Sequence, residues 1–414
     1  MRRKRQAAGG EIMPPDALAL TVHERAGVPP VARETVPKRL AFLDRGIWRD
    51  AALAWLAQHI FFLIPIILTI VLAPARPVTI QRIGLPWLNW DGWIYVDIAQ
   101  HGYRAAGQAA FFPLYPLVTR LLAFCLGGHT ALAALLVANA ASLGAYGLLL
   151  LLVERERGTV AARRTLLFLL CFPASFFLGA AYTESLFLLL SLGVFLALRR
   201  HAWLIASMLA ALATLTRPVG VLLLVPLAAE MAQPQLQRIG HLLSRPSFWL
   251  RLLPPILALA GYCGYLALRF GRPLAFLSAE GGTWGRRPSW PWDSFARAIA
   301  AVLRDPPNQA IPAALDLFLM ALFIAVTLLA LRRLPLPYAL YTLASLVLII
   351  LLPMHRENWG ALSSNKRFMV DVFPLFLVAG SARPRRWIEP LAVIFALLIQ
   401  IVLIVAFLQR GWVA

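Results

Sequence analysis

The sequence predicts an all-α, polytopic membrane protein, and three observations carry that expectation. Of its 414 residues, 60% are hydrophobic and only 14% are charged, whereas a soluble domain carries roughly 45–50% apolar and about 25% charged residues. The mean hydropathy is +0.72, an excess that the polar cover of a water-soluble fold would not hide. Finally, long apolar runs repeat along the chain, and short basic clusters fall between them in the alternating pattern that orients helices across a bilayer.

That pattern also disposes of the formal net charge of +20. A nucleic-acid binder would show a basic face interleaved with aromatics on a soluble domain, so no nucleic-acid partner is expected and membrane lipids are. The three cysteines, Cys125, Cys171 and Cys263, are far apart and lie in or beside apolar stretches. They read as small buried hydrophobes, with neither disulfide nor metal-ligand spacing.

Residues 1–46 open with Arg2-Arg3-Lys4-Arg5 and lack apolar periodicity, which predicts a basic, largely disordered cytoplasmic tail. No apolar core follows until about residue 51, so the start does not read as a cleavable signal. Residues 47–414 are expected to form one transmembrane domain. Apolar runs fall at 51–73, 131–153, 165–181, 184–198, 203–216, 217–232, 249–268, 312–331, 336–352, 370–381 and 388–409. Judged against the ~20 residues of a spanning helix, they predict about 11 transmembrane helices. A cytoplasmic amino terminus puts Arg155, Arg157, Arg163 and Arg164, then Arg199 and Arg200, Arg238 and Arg245, Arg332 and Arg333, and Arg383, Arg385 and Arg386 inside. Loops 74–130, 269–311 and 353–369 then lie outside. Arg286, Arg287, Arg356, Lys366 and Arg367 in those loops run against the usual bias, and either an anionic lipid head group or bulk lipid phosphate would attract them.

The outer loops hold the residues that bear chemistry. In Trp90-Asp91-Gly92 and the segment to His101, Trp90, Asp91, Ile94, Asp97, Ile98 and His101 share one broad helical face. The aromatics suit a helix lying at the membrane-water boundary. Asp91 reads either as a helix N-cap or as a base whose proton affinity is tuned by partial burial. Glu184 is nearly alone in an apolar stretch, either a helix-start residue favoured by the dipole or a functional carboxylate. Arg217 reads as a snorkelling side chain or a phosphate clamp.

The ordered set resembles the PIG-V mannosyltransferase family, within the GT-C class of membrane glycosyltransferases. Its pieces are Trp90-Asp91-Gly92 with His101-Gly102-Tyr103, Phe111-Phe112-Pro113-Leu114-Tyr115-Pro116, Thr183-Glu184-Ser185-Leu186-Phe187 and Thr216-Arg217-Pro218-Val219-Gly220. Trp284, Arg287, Trp290-Pro291-Trp292 and Lys366-Arg367 leading into Phe373-Pro374 complete it. The motifs cover about residues 85–375, and the tail lies outside them.

The resemblance implies a GT-C-like helical bundle with loop helices on the extracytoplasmic face. It implies an inverting transfer of mannose from a polyprenyl- or dolichyl-phosphate donor to a glycan or glycolipid acceptor. Asp91 would be the catalytic base. Trp90, Asp97, His101, Glu184, Arg217, Trp284, Arg287, Lys366 and Arg367 would contact substrate, with Arg217, Lys366 or Arg367 steadying the departing phosphate. The lipid-phosphate sugar is a co-substrate; the sequence calls for no cofactor and leaves a divalent metal open. The Arg/Ala/Leu-rich composition suggests a bacterial plasma membrane, and a eukaryotic chain would belong in the endoplasmic reticulum. A lipid-linked sugar flippase, a GT-C enzyme for another sugar such as glucose or arabinose, and a non-catalytic scaffold are the rival readings.

Overall fold

The computed structural model describes residues 44–72, 84–233, 239–355, 360–383, 386–411 and 413. The tail expected over 1–46 lies outside them but for its last residues, and Arg238, Arg356 and Arg385 lie outside them altogether. The helices in chain order are α1 Arg45–Leu72, α2 Asp91–His101, α3 Leu114–Cys125, α4 Thr130–Arg157, α5 Thr159–Cys171 and α6 Glu184–Leu198. There follow α7 Trp203–Thr216, α8 Leu224–Ala232, α9 Ile239–Leu243, α10 Pro246–Phe270, α11 Ala275–Gly282 and α12 Pro291–Arg304. The last are α13 Pro307–Arg333, α14 Leu336–Leu351, α15 Asn365–Met369, α16 Pro374–Ser381 and α17 Ile388–Leu408.

Proline sets many of these starts. Pro246, Pro291, Pro307 and Pro374 each open a helix, where the missing N–H costs nothing and the fixed φ suits the first turn. Among the described residues the fold is all-helical, its one β feature an isolated bridge between Arg286 and Met354.

Five helices, α1, α4, α10, α13 and α17, are long and apolar enough to cross a membrane, and the chain is a multi-pass membrane protein. The expected eleven crossings do not appear as eleven helices of that length. Run 165–181 ends as a helix at Cys171, before Pro173, and continues in a 3-10 turn over Ser175–Leu178. Run 217–232 divides into a 3-10 turn, Pro218–Leu223, and α8. Run 370–381 keeps only the eight residues of α16. Hydropathy marks these stretches as apolar, but prolines shorten their helices, and protein packing covers the irregular backbone that lipid would not tolerate.

Burial separates rim from core. Only 17% of the most apolar window of α1 is buried, against 72% for α4. Leu53, Leu56, Ile60, Ile67 and Val71 of α1 point outward, as lipid-facing residues do. α4 is central, packing against α1, α3, α5 and α6.

Polar groups sit at the two ends of this bundle. At one end Arg163 meets Asp50 at 2.7 Å, and Arg164 meets Glu389 at 2.7 Å and donates to the Gly380 carbonyl at 2.8 Å. There too Arg199 meets Glu156 at 2.7 Å and Glu230 at 3.0 Å. The basic ends of α4 and α13 meet there as well, Arg157 donating to Arg333 O at 3.2 Å. At the other end Asn89, just before α2, donates to Phe407 O at 2.8 Å near the close of α17.

Candidate functional site

The site begins with a forced turn. Trp90 precedes α2 at φ 61°, ψ −116°, a conformation uncommon outside glycine and found where surrounding structure imposes it. Three contacts hold it: the Asn89 bond to Phe407, a 2.7 Å bond from the Tyr182 hydroxyl to Asn89 O, and a 3.2 Å bond from Trp90 Nε1 to Gly411 O. Gly92 lets the first turn of α2 settle on the chain before α6. A Cβ there would stand 3.3 Å from Ala181 O and 3.4 Å from Leu88 Cβ. The result places Asp91 as the first residue of α2 and Glu184 as the first of α6, two carboxylates at neighbouring helix amino termini where the dipole favours negative charge. Trp90 holds the N-cap position, and no side chain caps the helix.

Arg217 is delivered by another tight turn. Pro218 ends α7, and the chain folds back so closely that a Cβ on Gly220 would lie 2.4 Å from Ala213 C; only glycine fits. Arg367 comes from α15, five residues long and entered through Ser364 at φ 69°.

These residues form one buried network. Arg367 Nη1 donates to Asp91 Oδ2 at 2.6 Å, and Arg367 Nε donates to Glu184 Oε1. Arg217 Nη1 donates to Glu184 Oε1 at 2.8 Å and to Asp371 Oδ2 at 2.6 Å. Asp91, Glu184, Arg217, Arg367 and Asp371 are all buried. Ring faces complete the cage: Arg367 lies 4.6 Å from the Tyr182 centroid, while Phe368 sits between Arg217 at 4.9 Å and Arg286 at 4.7 Å. Cation–π attraction strengthens as water leaves.

Three carboxylates against two guanidiniums leave the five residues one negative charge in surplus when all are ionised. One oxygen of each carboxylate, Asp91 Oδ1, Glu184 Oε2 and Asp371 Oδ1, is buried without a hydrogen-bond partner. Buried charge of this kind is expensive and rarely kept for stability alone. Beside the network, burial raises the Glu280 carboxyl above its usual range, with Arg286 opposing that shift.

The other flagged residues lie elsewhere. Asp97 accepts from Arg104, from Gln108 Nε2 at 2.7 Å, and pairs with His101 Nδ1 at 3.0 Å. This surface clamp holds the loop after α2, because Asp97 stands about 120° around the helix from Asp91. The broad face seen in the sequence is thus two directions, and the structure does not bring Asp97 or His101 to the network. Trp284 packs edge-on to Phe111 at 5.9 Å. Exposed Arg287 reaches Gly281 O at 3.4 Å, while its neighbour Arg286 turns inward, donating to Leu352 O at 2.9 Å and Ser363 O at 3.2 Å. Lys366 faces away from Arg367 and bonds Asp316 of α13 at 2.8 Å. Arg217 neither snorkels nor stands free as a phosphate clamp. Among the described residues no group of three His, Cys, Asp or Glu side chains comes close enough to hold a metal ion.

Sequence reasoning missed Asp371, Asp316 and the inward turn of Arg286. The first two carry the signal that marked Glu184, a lone acid inside an apolar run.

Part of the chain is similar to known proteins. The mannosyltransferase (PIG-V) family matches residues 80–239, which include Asp91, Glu184 and Arg217. GPI mannosyltransferase 2 of Schizosaccharomyces pombe is 29% identical over 148 residues, 34% of this chain and 31% of that protein, so the match spans about a third of the relative. Among solved structures, ArnT from Cupriavidus metallidurans bound to undecaprenyl phosphate aligns at TM-score 0.47 and 16% identity, over 86% of this chain and 72% of that one. An Archaeoglobus fulgidus oligosaccharyltransferase aligns at TM-score 0.42 and 13% identity, over 91% and 56%. The resemblance read from the ordered motifs is borne out in the matched segment: residues 80–239 are similar to the mannosyltransferase (PIG-V) family.

Proposed function

We propose that this chain is a membrane glycosyltransferase of the GT-C class, moving a mannosyl residue from a polyprenyl- or dolichyl-phosphate donor to a hydroxyl of a glycan or glycolipid acceptor. The observation that carries this reading is Asp91, held by Arg367 through one carboxylate oxygen while the other has no partner, inside the family-matched segment.

Asp91 Oδ1 takes the acceptor proton as the acceptor oxygen attacks the anomeric carbon. The bond from that carbon to the phosphate oxygen breaks, and its electron pair leaves on the lipid phosphate. Attack from the face opposite the leaving group inverts the centre. A phosphate leaves without help from a general acid, so a single carboxylate suffices. Glu184 bridges Arg367 and Arg217 and keeps both guanidiniums in place, so that Asp91 is oriented before substrate arrives. Such preorganised charge is a large share of catalytic power.

The network sits at the end of the bundle away from the paired basic clusters. By the positive-inside rule, that end faces the extracytoplasmic side and the amino terminus the cytoplasm. No cofactor beyond the lipid-linked sugar is invoked.

The test is transfer of labelled mannose from polyprenyl-phosphate-mannose in membranes holding wild type or Asp91→Asn at equal expression. Loss of product in the variant supports the reading. Undiminished transfer overturns the base assignment, and movement of the intact sugar-lipid across the bilayer without glycoside formation replaces the enzyme with a flippase.

A further inference from the structure

Asp316 stands in the first half of α13, one of the helices long and apolar enough to cross a membrane, where an ionisable side chain needs both a partner and a reason. Its partner is Lys366, whose Nζ donates to Oδ1 at 2.8 Å, and both side chains are almost fully buried. An ion pair this deep is seldom more stable than an apolar pair of the same size, and the carboxylate network does not include it. Its place in the fold gives it another use.

α15 has five residues and is entered through Ser364 at φ 69°. So short a helix does not hold itself, and tertiary contacts must set its rotation about its own axis. Two consecutive residues make the ionic ones. Lys366 reaches α13, while Arg367, about 100° further around the helix, reaches Asp91 on α2 and Glu184 on α6. A side-chain head lies about 6 Å from the helix axis, so a roll of about 10° carries it about 1 Å. That is enough to break the 2.6 Å bond from Arg367 to Asp91, and such a displacement at a reacting centre costs up to about a hundredfold in rate. The ring-face contacts of Phe368 with Arg217 and Arg286 are broad in geometry. A hydrogen-bonded ion pair has a direction.

Resting on the function proposed above, we propose that the Lys366–Asp316 pair is a positioning device that fixes the roll of α15 and so the grip of Arg367 on Asp91. The pair acts through Arg367 and touches neither the sugar nor the acceptor. An apolar pair would fill the same space without setting the angle, which is why an ion pair stands in this part of the bundle.

The experiment is a double-mutant cycle, read in steady-state mannose transfer from polyprenyl-phosphate-mannose by the full-length protein in nanodiscs. Lys366→Met and Asp316→Leu each strand a buried charge, whereas the double variant strands none and is expected to melt with wild type. All three are expected to lose about ten- to a hundredfold in kcat per folded protein, with donor and acceptor KM within about twofold. The double variant should be no slower than the slower single, because both side chains serve one contact. If the singles do not fold, the double variant decides alone. Wild-type kcat in the double variant overturns the proposal and leaves the pair as packing. A raised KM, or losses in the singles that multiply, overturns it too and makes Lys366 a substrate contact in its own right. Any of these results, with Asp91→Asn still abolishing transfer, leaves the proposed function standing. No transfer by wild type removes that function and this inference together.

Discussion

Asp91 and Asp97 lie on the same short helix, carry the same side chain, and each bond an arginine. The Asp91 side chain is 9% exposed and shares a closed network with Arg367, Glu184, Arg217 and Asp371. The Asp97 side chain is 29% exposed, and its partners Arg104 and His101 reach into solvent. A surface pair contributes little because water and salt screen it. A buried set is costly to assemble and far more costly to break, since removing one member strands the others. Residue type and helix therefore do not mark the site. Burial among opposed charges does.

The comparison breaks first at chemistry. Replacing Asp91 by Asn is expected to lower transfer per folded protein about a hundred- to ten-thousandfold, the range of a lost general base. A larger structural loss comes from stranding charge. Glu184→Ala leaves Arg217 and Arg367 short of their shared partner and is expected to cost about 3–5 kcal/mol, read as a fall in melting temperature in detergent. At the basic end of the bundle Arg199 is half-buried between Glu156 and Glu230. Arg199→Ala should cost about 1–3 kcal/mol, the charge-assisted hydrogen-bond scale, and leave transfer by the folded fraction intact. Asp97→Asn comes last, within about 1 kcal/mol and weaker still at high salt.

A pH effect sharpens the same contrast. Burial holds the Glu280 carboxyl above its ordinary range, so the folded state grips that proton more tightly than the unfolded chain. Its stabilising share is full below the unfolded value and fades as pH rises through the raised one. Melting temperature should fall over that window in wild type, and Glu280→Gln should remove that part of the decline.

Much of this was legible in the sequence, for physical reasons that also set the limits. Composition announces a membrane, because no polar surface is available to cover so much hydrocarbon. Glu184 and Arg217 stand out because ionisable groups inside apolar runs demand a partner, yet no spacing rule names the partner. Asp371 lies 154 residues from Arg217 in the chain, and only the fold joins them. Neighbouring residues part ways for local reasons. Lys366 and Arg367 diverge by about 100° on one helix, so one faces Asp316 and the other Asp91. Arg286 turns inward through the bridge to Met354 and Arg287 outward. Apolar runs and helices part company where prolines interrupt them, as at Pro173 and Pro218, because hydropathy records composition and not an unbroken backbone ladder.

The most direct measurement sets the two aspartates of α2 against each other. Asp91→Asn and Asp97→Asn, expressed in parallel membranes, would be assayed for mannose transfer from polyprenyl-phosphate-mannose. The account predicts that Asp91→Asn loses product and Asp97→Asn stays within a few-fold of wild type. Full activity in Asp91→Asn, or loss in Asp97→Asn alone, would contradict it.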